Sequence, residues 1–361
     1  MDLQLSLCRH YMTQDEGFWN ESLKAFSFLR EQTFFIDSLH RLQAAVTGRN
    51  LEDAQLICDG CVSMVLEHTG SKAMSFLAPC LLLALCLPQG LEILRKSGAD
   101  EHILVDTFSD FSRWESRQYK ETGFHGIEDA GWLLYPYVGR LFQIGRLQYE
   151  PHLFSLPYAI YRNRDGRTLC LCLHELPCDS RGFLSDSDRP PNGGFMTTFS
   201  RSGEKITATA SDLNSGIFLK TPVTINAGEW ELLLAYGQPS ISLHIPRCGH
   251  LSPDSVDESL THAKSFFSSE DHPLEIIVCD SWLLDPALYC LTNPSDNIRS
   301  FMQRFHKYPV FPDSTALEYL FEGNTACGPE HLQAKTSLQK NVIHFLREGG
   351  TLHDTGGFLL L

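Results

Sequence analysis

Residues 241–279 constrain the fold of this chain more than any other stretch. Ile241 to Ile245 (ISLHI) is strand-like, PRCGH follows as a loop, and a helix begins at Ser252. Ser252 suits an N-cap and Pro253 the first helical position, where a missing N–H costs nothing. Val256, Leu260, Ala263 and Phe267 then share one helical face, and LEIIVC (274–279) supplies a second strand. Strands joined through a helix of this length run parallel, with a right-handed crossover. Another helical stretch is expected from about Pro286.

The chain before this unit falls into two textures. Over the first 125 or so residues the apolar positions keep helical spacing: Trp19, Leu23 and Phe26 with Leu39, Leu42 and Val46 line one face of a first helix, and Ala54, Ile57, Cys61 and Met64 mark a second. A third helix is expected over 73–87 and a fourth over 103–119, with glycines 70, 98 and 123 as stops. After Trp132 the segments 137–149, 157–161, 168–174 and 206–209 read as strands. Residues 178–195 read as a polar loop and Trp230 to Tyr236 as a short helix. The expected organisation is therefore a helical domain over 1–130 and a strand-rich domain over 131–361.

The chain has 361 residues, and its 29 basic against 44 acidic side chains give a net charge of −15 and a pI near 5.4. A duplex-binding protein carries a basic face, so no nucleic-acid partner is expected. The N-terminus shows no secretion signal, so the twelve cysteines are expected to be reduced and the protein cytoplasmic. The apolar run from Ala73 to Leu87 contains Ser75 and Pro79 and is shorter than the roughly 20 residues a membrane span needs. It reads as a buried helix, and no membrane partner is expected.

Three stretches together resemble a known family: GWLLYPYVGRLFQIGRLQYEP (131–151), SISLHIPRCGHLSPDSVDESLTHAKSFF (240–267) and VCDSWLLDPAL (278–288). Segments 295–310 and 336–361 extend the likeness. The family is that of bacterial acyltransferase-domain proteins, in which a helical N-acyltransferase N-terminal domain precedes a GNAT-like domain. The resemblance implies an α+β or α/β fold class, with an N-terminal helical bundle followed by a GNAT-like mixed β-sheet domain with flanking helices. It also implies transfer of an acyl group from acyl-coenzyme A, as co-substrate, to a small-molecule amine. The first 120 residues match only in helical character.

Coenzyme A carries a diphosphate, which suits the unpaired N–H groups of a helix N-terminus. The loop Arg247, Cys248, Gly249, His250, Leu251 and Ser252 stands at such a terminus. Gly249 permits close approach and Arg247 adds charge, although Leu251 occupies the place of the second small residue in the GNAT fingerprint. An ordinary strand-to-helix turn is the plainer alternative. Direct acyl transfer needs a base for the incoming amine and no covalent intermediate. His244 is a candidate base, or a space-filling strand histidine. Asp280 and Ser281 follow the second strand, where open α/β sheets collect ligands. They serve either chemistry or the cap of the next helix. Tyr289 is a candidate acid for the leaving thiolate, or a buried helix tyrosine.

On a single strand Arg140, Arg146, Gln148 and Glu150 would share one side. They read as a substrate-facing polar patch or as structural ion pairing. Cys170, Cys172, His174 and Cys178 carry zinc-ligating atoms, but alternate strand residues are spaced too widely for one ion, so no metal is expected. Cys58 and Cys61 read as helix packing. Two alternatives to the enzyme reading stand beside it. One is a non-catalytic GNAT-like binding or regulatory module. The other, a Cys or Ser hydrolase, has no Gly-x-Ser-x-Gly elbow to support it.

Overall fold

The computed structural model describes residues 3–312, 315–321 and 328–361. Its chain forms two compact units: Met1–Glu150 with Ile245–Arg247, and Pro151–His244 with Cys248–Leu361. The units part at residue 150 and not at 130, because the stretch after Gly131 packs on the helices that precede it.

In the first unit, helices α1 (Leu5–Met12), α2 (Glu16–Leu29), α3 (Thr33–Thr47) and α4 (Leu51–Thr69) lead to α5 (Lys72–Lys96). Side-chain oxygens of Asp15, Asn50 and Ser71 cap α2, α4 and α5 by accepting backbone N–H bonds. Left-handed Gly70 ends α4, and Gly98 takes positive φ just past α5. Helix α5 is the buried axis of the bundle. It runs on through Pro79 and Pro88 to Lys96 instead of stopping at Leu87, because Leu91, Ile93 and Leu94 continue its buried surface. It is long and apolar enough to cross a membrane, yet 72% of its most apolar stretch is buried inside the protein.

The fourth expected helix divides at Ser109 into α6 (Glu101–Phe108) and α7 (Asp110–Thr122), the latter ended by left-handed Gly123. A short α8 (Gly131–Leu134) and a 3₁₀ turn over Pro136–Val138 follow. The segment expected as one long strand is a hairpin of β1 (Phe142–Ile144) and β2 (Leu147–Leu153), registered Phe142 opposite Tyr149 and turning at left-handed Gly145.

The second unit contains several small antiparallel sheets. β3 (Tyr158–Asn163) pairs with β4 (Thr168–Cys172), and the two-residue β5 (Pro177–Cys178) with β6 (Phe195–Met196). β7 (Phe199–Ser202) and β8 (Lys205–Ala208) form a hairpin, and β9 (Ser211–Asp212) pairs with β10 (Ile217–Phe218). β11 (Val223–Asn226) joins β8, and β12 (Trp230–Ala235) joins β3. Trp230 to Ala235 is therefore a strand and not the expected helix. Its Glu, Leu and Ala favour helix locally, but pairing with β3 decides the outcome.

The larger sheet of this unit runs in the order β13 (Pro239–His244), β14 (Ile276–Ser281), β16 (Thr355–Leu360), β15 (His306–Pro309). β13 and β14 are parallel, as the sequence predicts, and are linked by α9 (Pro253–Phe267) with Ser252 at its N-cap. Short helices α10 (Leu288–Leu291) and α11 (Asn297–Met302) precede β15, and α12 (Thr315–Phe321) and α13 (Ser337–Arg347) precede β16. One sheet face supplies Ile276, Val278, Tyr308 and Phe358 to a core shared with Tyr158 and Ile160 of β3, Cys170 and Cys172 of β4, and Phe218.

Leu82 is fully buried on α5. Leu82→Ala is expected to cost about 2–5 kcal/mol of unfolding free energy by denaturant titration. A loss under about 1 kcal/mol would show that the bundle does not close around this helix.

Candidate active site

Strand register brings the chemistry-bearing side chains of the larger sheet together. Ser242 of β13 stands opposite Val278 of β14, so His244 and Asp280, each two residues further along, lie on the same face of adjacent strands. Asp280 in turn faces Gly356 of β16, and Gly356 faces Tyr308 of β15. The Tyr308 hydroxyl reaches across the glycine and donates to Asp280 Oδ1 at 3.0 Å. A Cβ at Gly356 would land on the Tyr308 ring, so this position must be glycine for the bond to form. The ring itself is buried, edge-on to Tyr158 and Phe154.

Desolvation pushes the Asp280 carboxyl up to about 6, while the Tyr308 hydrogen bond and the nearby His244 act in the opposite sense. Its side chain nevertheless remains exposed. Tyr308, held well above the ordinary tyrosine range by burial, remains a donor. At neutral pH the arrangement therefore presents a water-accessible carboxylate able to take up a proton close to pH 6.

Ser281, the next residue along β14, turns to the other face, and its Oγ accepts from Leu283 N at 3.1 Å as a helix cap. Tyr289 on α10 lies between Arg299 and Lys307, their cationic groups 4.9 and 5.3 Å from its ring centroid. Lys307 projects opposite to Tyr308 on β15, so Tyr289 is on the face away from Asp280 and is not brought to it.

In the loop over 247–252, Gly249 is left-handed with φ +59°, and open space surrounds the position a Cβ would take. The first turn of α9 is less open to an anion than its position suggests. Pro253 has no N–H, the Ser252 cap takes that of Ser255, and Val256 donates to Ser252 O. The Asp254 amide is the first-turn donor that survives. Arg247, Cys248, His250 and Leu251 complete this loop, Leu251 with its side chain buried.

The hairpin in the first unit corrects the shared-strand-face reading. Arg140 pairs with Glu150 at 2.7 Å, and Arg146 donates to Pro246 O at 3.0 Å. Gln148 is buried and donates to Asp110 Oδ2 at 2.9 Å, beside an Arg113–Asp110 ion pair. Cys170, Cys172 and Cys178 are core residues whose thiols burial raises, Cys178 to about 12. Among the described residues no cluster of three or more His, Cys, Asp or Glu could hold a metal. Cys58 and Cys61 are buried on α4, and Cys327 lies outside the described residues. Tyr308 and Gly356 are the residues that sequence reasoning passes over. Their only local signal is a tyrosine in a short buried strand and a glycine pair inside a C-terminal strand.

No curated protein matches this chain. Among solved structures, an acyltransferase in complex with decanoyl-CoA and teicoplanin is similar, with a TM-score of 0.53 and 17% identity over 84% of this chain and 76% of that one. An acyltransferase mutant in complex with octanoyl-CoA gives 0.52 and 16% over 95% and 88%, and an acyltransferase with decanoyl-CoA gives 0.51 and 17% over the whole of both chains. At this identity the likeness establishes the fold.

Tyr308→Phe removes the donor that favours the Asp280 anion. The carboxyl is expected to titrate above its present value near 6, as read by carboxyl-carbon NMR. Gly356→Ala is expected to cost about 1–3 kcal/mol and to displace the same ring. An unchanged Asp280 titration in both variants would remove Tyr308 from the site.

Two family models match, an N-acyltransferase N-terminal domain over residues 36–139 and a GNAT-like C-terminal domain over 141–359. With the second covering more than half of its length, the chain belongs to the acyltransferase family in which a helical N-acyltransferase domain precedes a GNAT-like domain.

Proposed function

We propose that this acyltransferase moves an acyl group from acyl-coenzyme A to an amine by direct attack, with Asp280 as general base and His244 beside it. The observation that carries this reading is a water-accessible carboxylate with its proton affinity tuned to about 6, set at the strand ends by Tyr308. The amine nitrogen gives its proton to Asp280 and attacks the thioester carbonyl. A C–N bond forms, the C–S bond breaks, and the proton passes on to the departing thiolate or to water. No enzyme-bound acyl group is needed.

The loop over 247–252 is the proposed seat of the coenzyme A diphosphate, supported by the open space at left-handed Gly249. The depleted first turn of α9 leaves the Asp254 amide and the loop itself to supply the donors. That same depletion favours the second reading, a binding or regulatory module without turnover. Acyl-coenzyme A-bound neighbours support the choice of donor. The teicoplanin-bound neighbour supports a small-molecule acceptor, and no membrane or nucleic acid enters the proposal. Ser281 and Tyr289 receive no catalytic role, and Arg140, Arg146, Gln148 and Glu150 act as structural pairs.

Acyl transfer with decanoyl-coenzyme A and a panel of amines tests this directly. Asp280→Asn is expected to lower kcat by about 10²–10⁴-fold, and wild-type kcat/KM to rise with pH through about 6. Retained turnover in Asp280→Asn would reject the base, and a wild type that binds the donor but acylates no amine would favour the module.

The same carboxyl predicts a stability effect of definite sign. Its folded value near 6 lies above the unfolded value near 3.8, so its contribution is fully present below about 4 and is lost as pH rises through 6. Asp280→Asn is therefore expected to raise Tm over wild type at pH 8 but not at pH 4. Gly249→Ala meets only the left-handed backbone cost of about 1–2 kcal/mol in the free protein. Its KM for decanoyl-coenzyme A is expected to rise at least about tenfold.

A further inference from the structure

A cavity of about 450 Å³ opens in the second unit beside the ends of β15 and β16. Its size suits an organic ligand or a large part of one. Pro309 and Val310, which line it, directly follow Tyr308, and His353 and Asp354 directly precede Thr355 and Gly356. β14 and β15 each pair antiparallel with β16, so they run the same way and finish at one end of the sheet. The cavity therefore lies at the sheet end that carries Asp280, one residue beyond the row of Asp280, Gly356 and Tyr308. Two strand spacings, roughly 10 Å, separate Pro309 from that carboxylate.

The polar groups on the wall leave little for a ligand to satisfy. Asp179 accepts backbone N–H bonds from Arg181, Gly182 and Phe183 and pairs with the Arg181 guanidinium at 3.0 Å. Asp354 is engaged as well. The hydroxyls of Ser185 and Ser187 lie 2.9 Å apart, and Ser187 donates onward to Arg189 O at 2.6 Å. His353 is stacked on Phe183 with ring centroids 4.2 Å apart, and burial holds it below the usual histidine range, hence neutral at pH 7. Its Nε2 has no partner among the described residues but is closed off from solvent, so a ligand meets the ring and not that nitrogen. Asp186 is exposed to water. What faces a ligand is the apolar lining of Phe183, Leu184, Pro309, Val310 and Pro312.

We propose that this cavity takes the far end of the donor's acyl chain, so that the enzyme selects acyl groups of about ten carbons or longer, a proposal that rests on the acyl-transfer reading above. The strand order β13, β14, β16, β15 then lays the donor across one sheet end. The diphosphate sits by the loop after β13, the thioester by Asp280 at the end of β14, and the tail passes β16 to reach the cavity beside β15. An extended chain advances about 1.2 Å per bond, so a hexanoyl tail stops roughly 4 Å short of that gap and a decanoyl tail crosses it. Each methylene that enters leaves water for apolar surface, which is worth about fourfold in affinity. A charged group would only lose hydration against this lining.

Calorimetry on the full chain with hexanoyl-, decanoyl- and dodecanoyl-coenzyme A, without amine, tests this. Decanoyl-coenzyme A is expected to bind at least about tenfold more tightly than hexanoyl-coenzyme A. Val310→Trp, which fills the cavity, is expected to bring the two within about threefold of each other. Phe183→Ala, which enlarges it, is expected to move the preference by about threefold or more toward dodecanoyl-coenzyme A. Equal affinity for hexanoyl and decanoyl donors in the wild type would overturn the proposal, as would a decanoyl preference that neither variant alters. A Val310→Trp protein with wild-type donor affinities and a raised KM for the amine would assign the cavity to the acceptor and overturn it too. Binding that follows the expected pattern while no amine is acylated would instead reject the acyl-transfer reading and leave the tail site standing.

Discussion

A hydroxyl reaching across a glycine is the constraint on which the site depends. Three strands must be in register for Tyr308, Gly356 and Asp280 to form one row, and the middle position must lack a side chain for the bond to close. Burial would otherwise leave Asp280 neutral or force it outward. The tyrosine offsets part of that cost, so the carboxyl stops at about 6 and is ionised at neutral pH while still basic enough to accept a proton. Packing of Tyr308 against Tyr158 and Phe154 then fixes the donor from behind, linking the hydrophobic core to the chemistry.

On the proposed reading of Asp280 as the base, this linkage sets stability against function in one residue. Above pH 6 the folded state holds a carboxylate that the unfolded chain would ionise more readily, which is a destabilising arrangement. Structures tolerate such groups chiefly where a reaction uses them. By the same logic the Arg113–Asp110 ion pair and the His125–Glu115 hydrogen bond at 2.7 Å in the first unit look inward and complete a core. Asp280 faces water.

Much of this architecture is legible in the amino-acid order, and the failures have physical causes. Helical spacing at Trp19, Leu39 and Ala54 marks helical segments because each buries one stripe, although the stretch from Trp19 to Val46, expected as one helix, is two, α2 and α3. The parallel β13–α9–β14 unit is readable because its cap, its buried face and both strands are local. WELLLA misleads because its pairing partner lies about seventy residues earlier, and 140–150 misleads because a glycine turn splits what alternation alone would join. Asp280 and His244 can be singled out as strand-end polar residues. Tyr308 and Gly356 cannot, since their meaning arises only when strands from three distant places stand side by side.

The α9 terminus shows how one motif can signal structure while limiting chemistry. Ser252 and Pro253 make the helix start recognisable, yet the serine takes the amide of Ser255 and the proline removes one outright. A well-capped terminus has fewer donors left for a phosphate. In the proposed donor site, recognition of the diphosphate therefore falls to the Asp254 amide and the loop before it more than to the helix terminus as a whole.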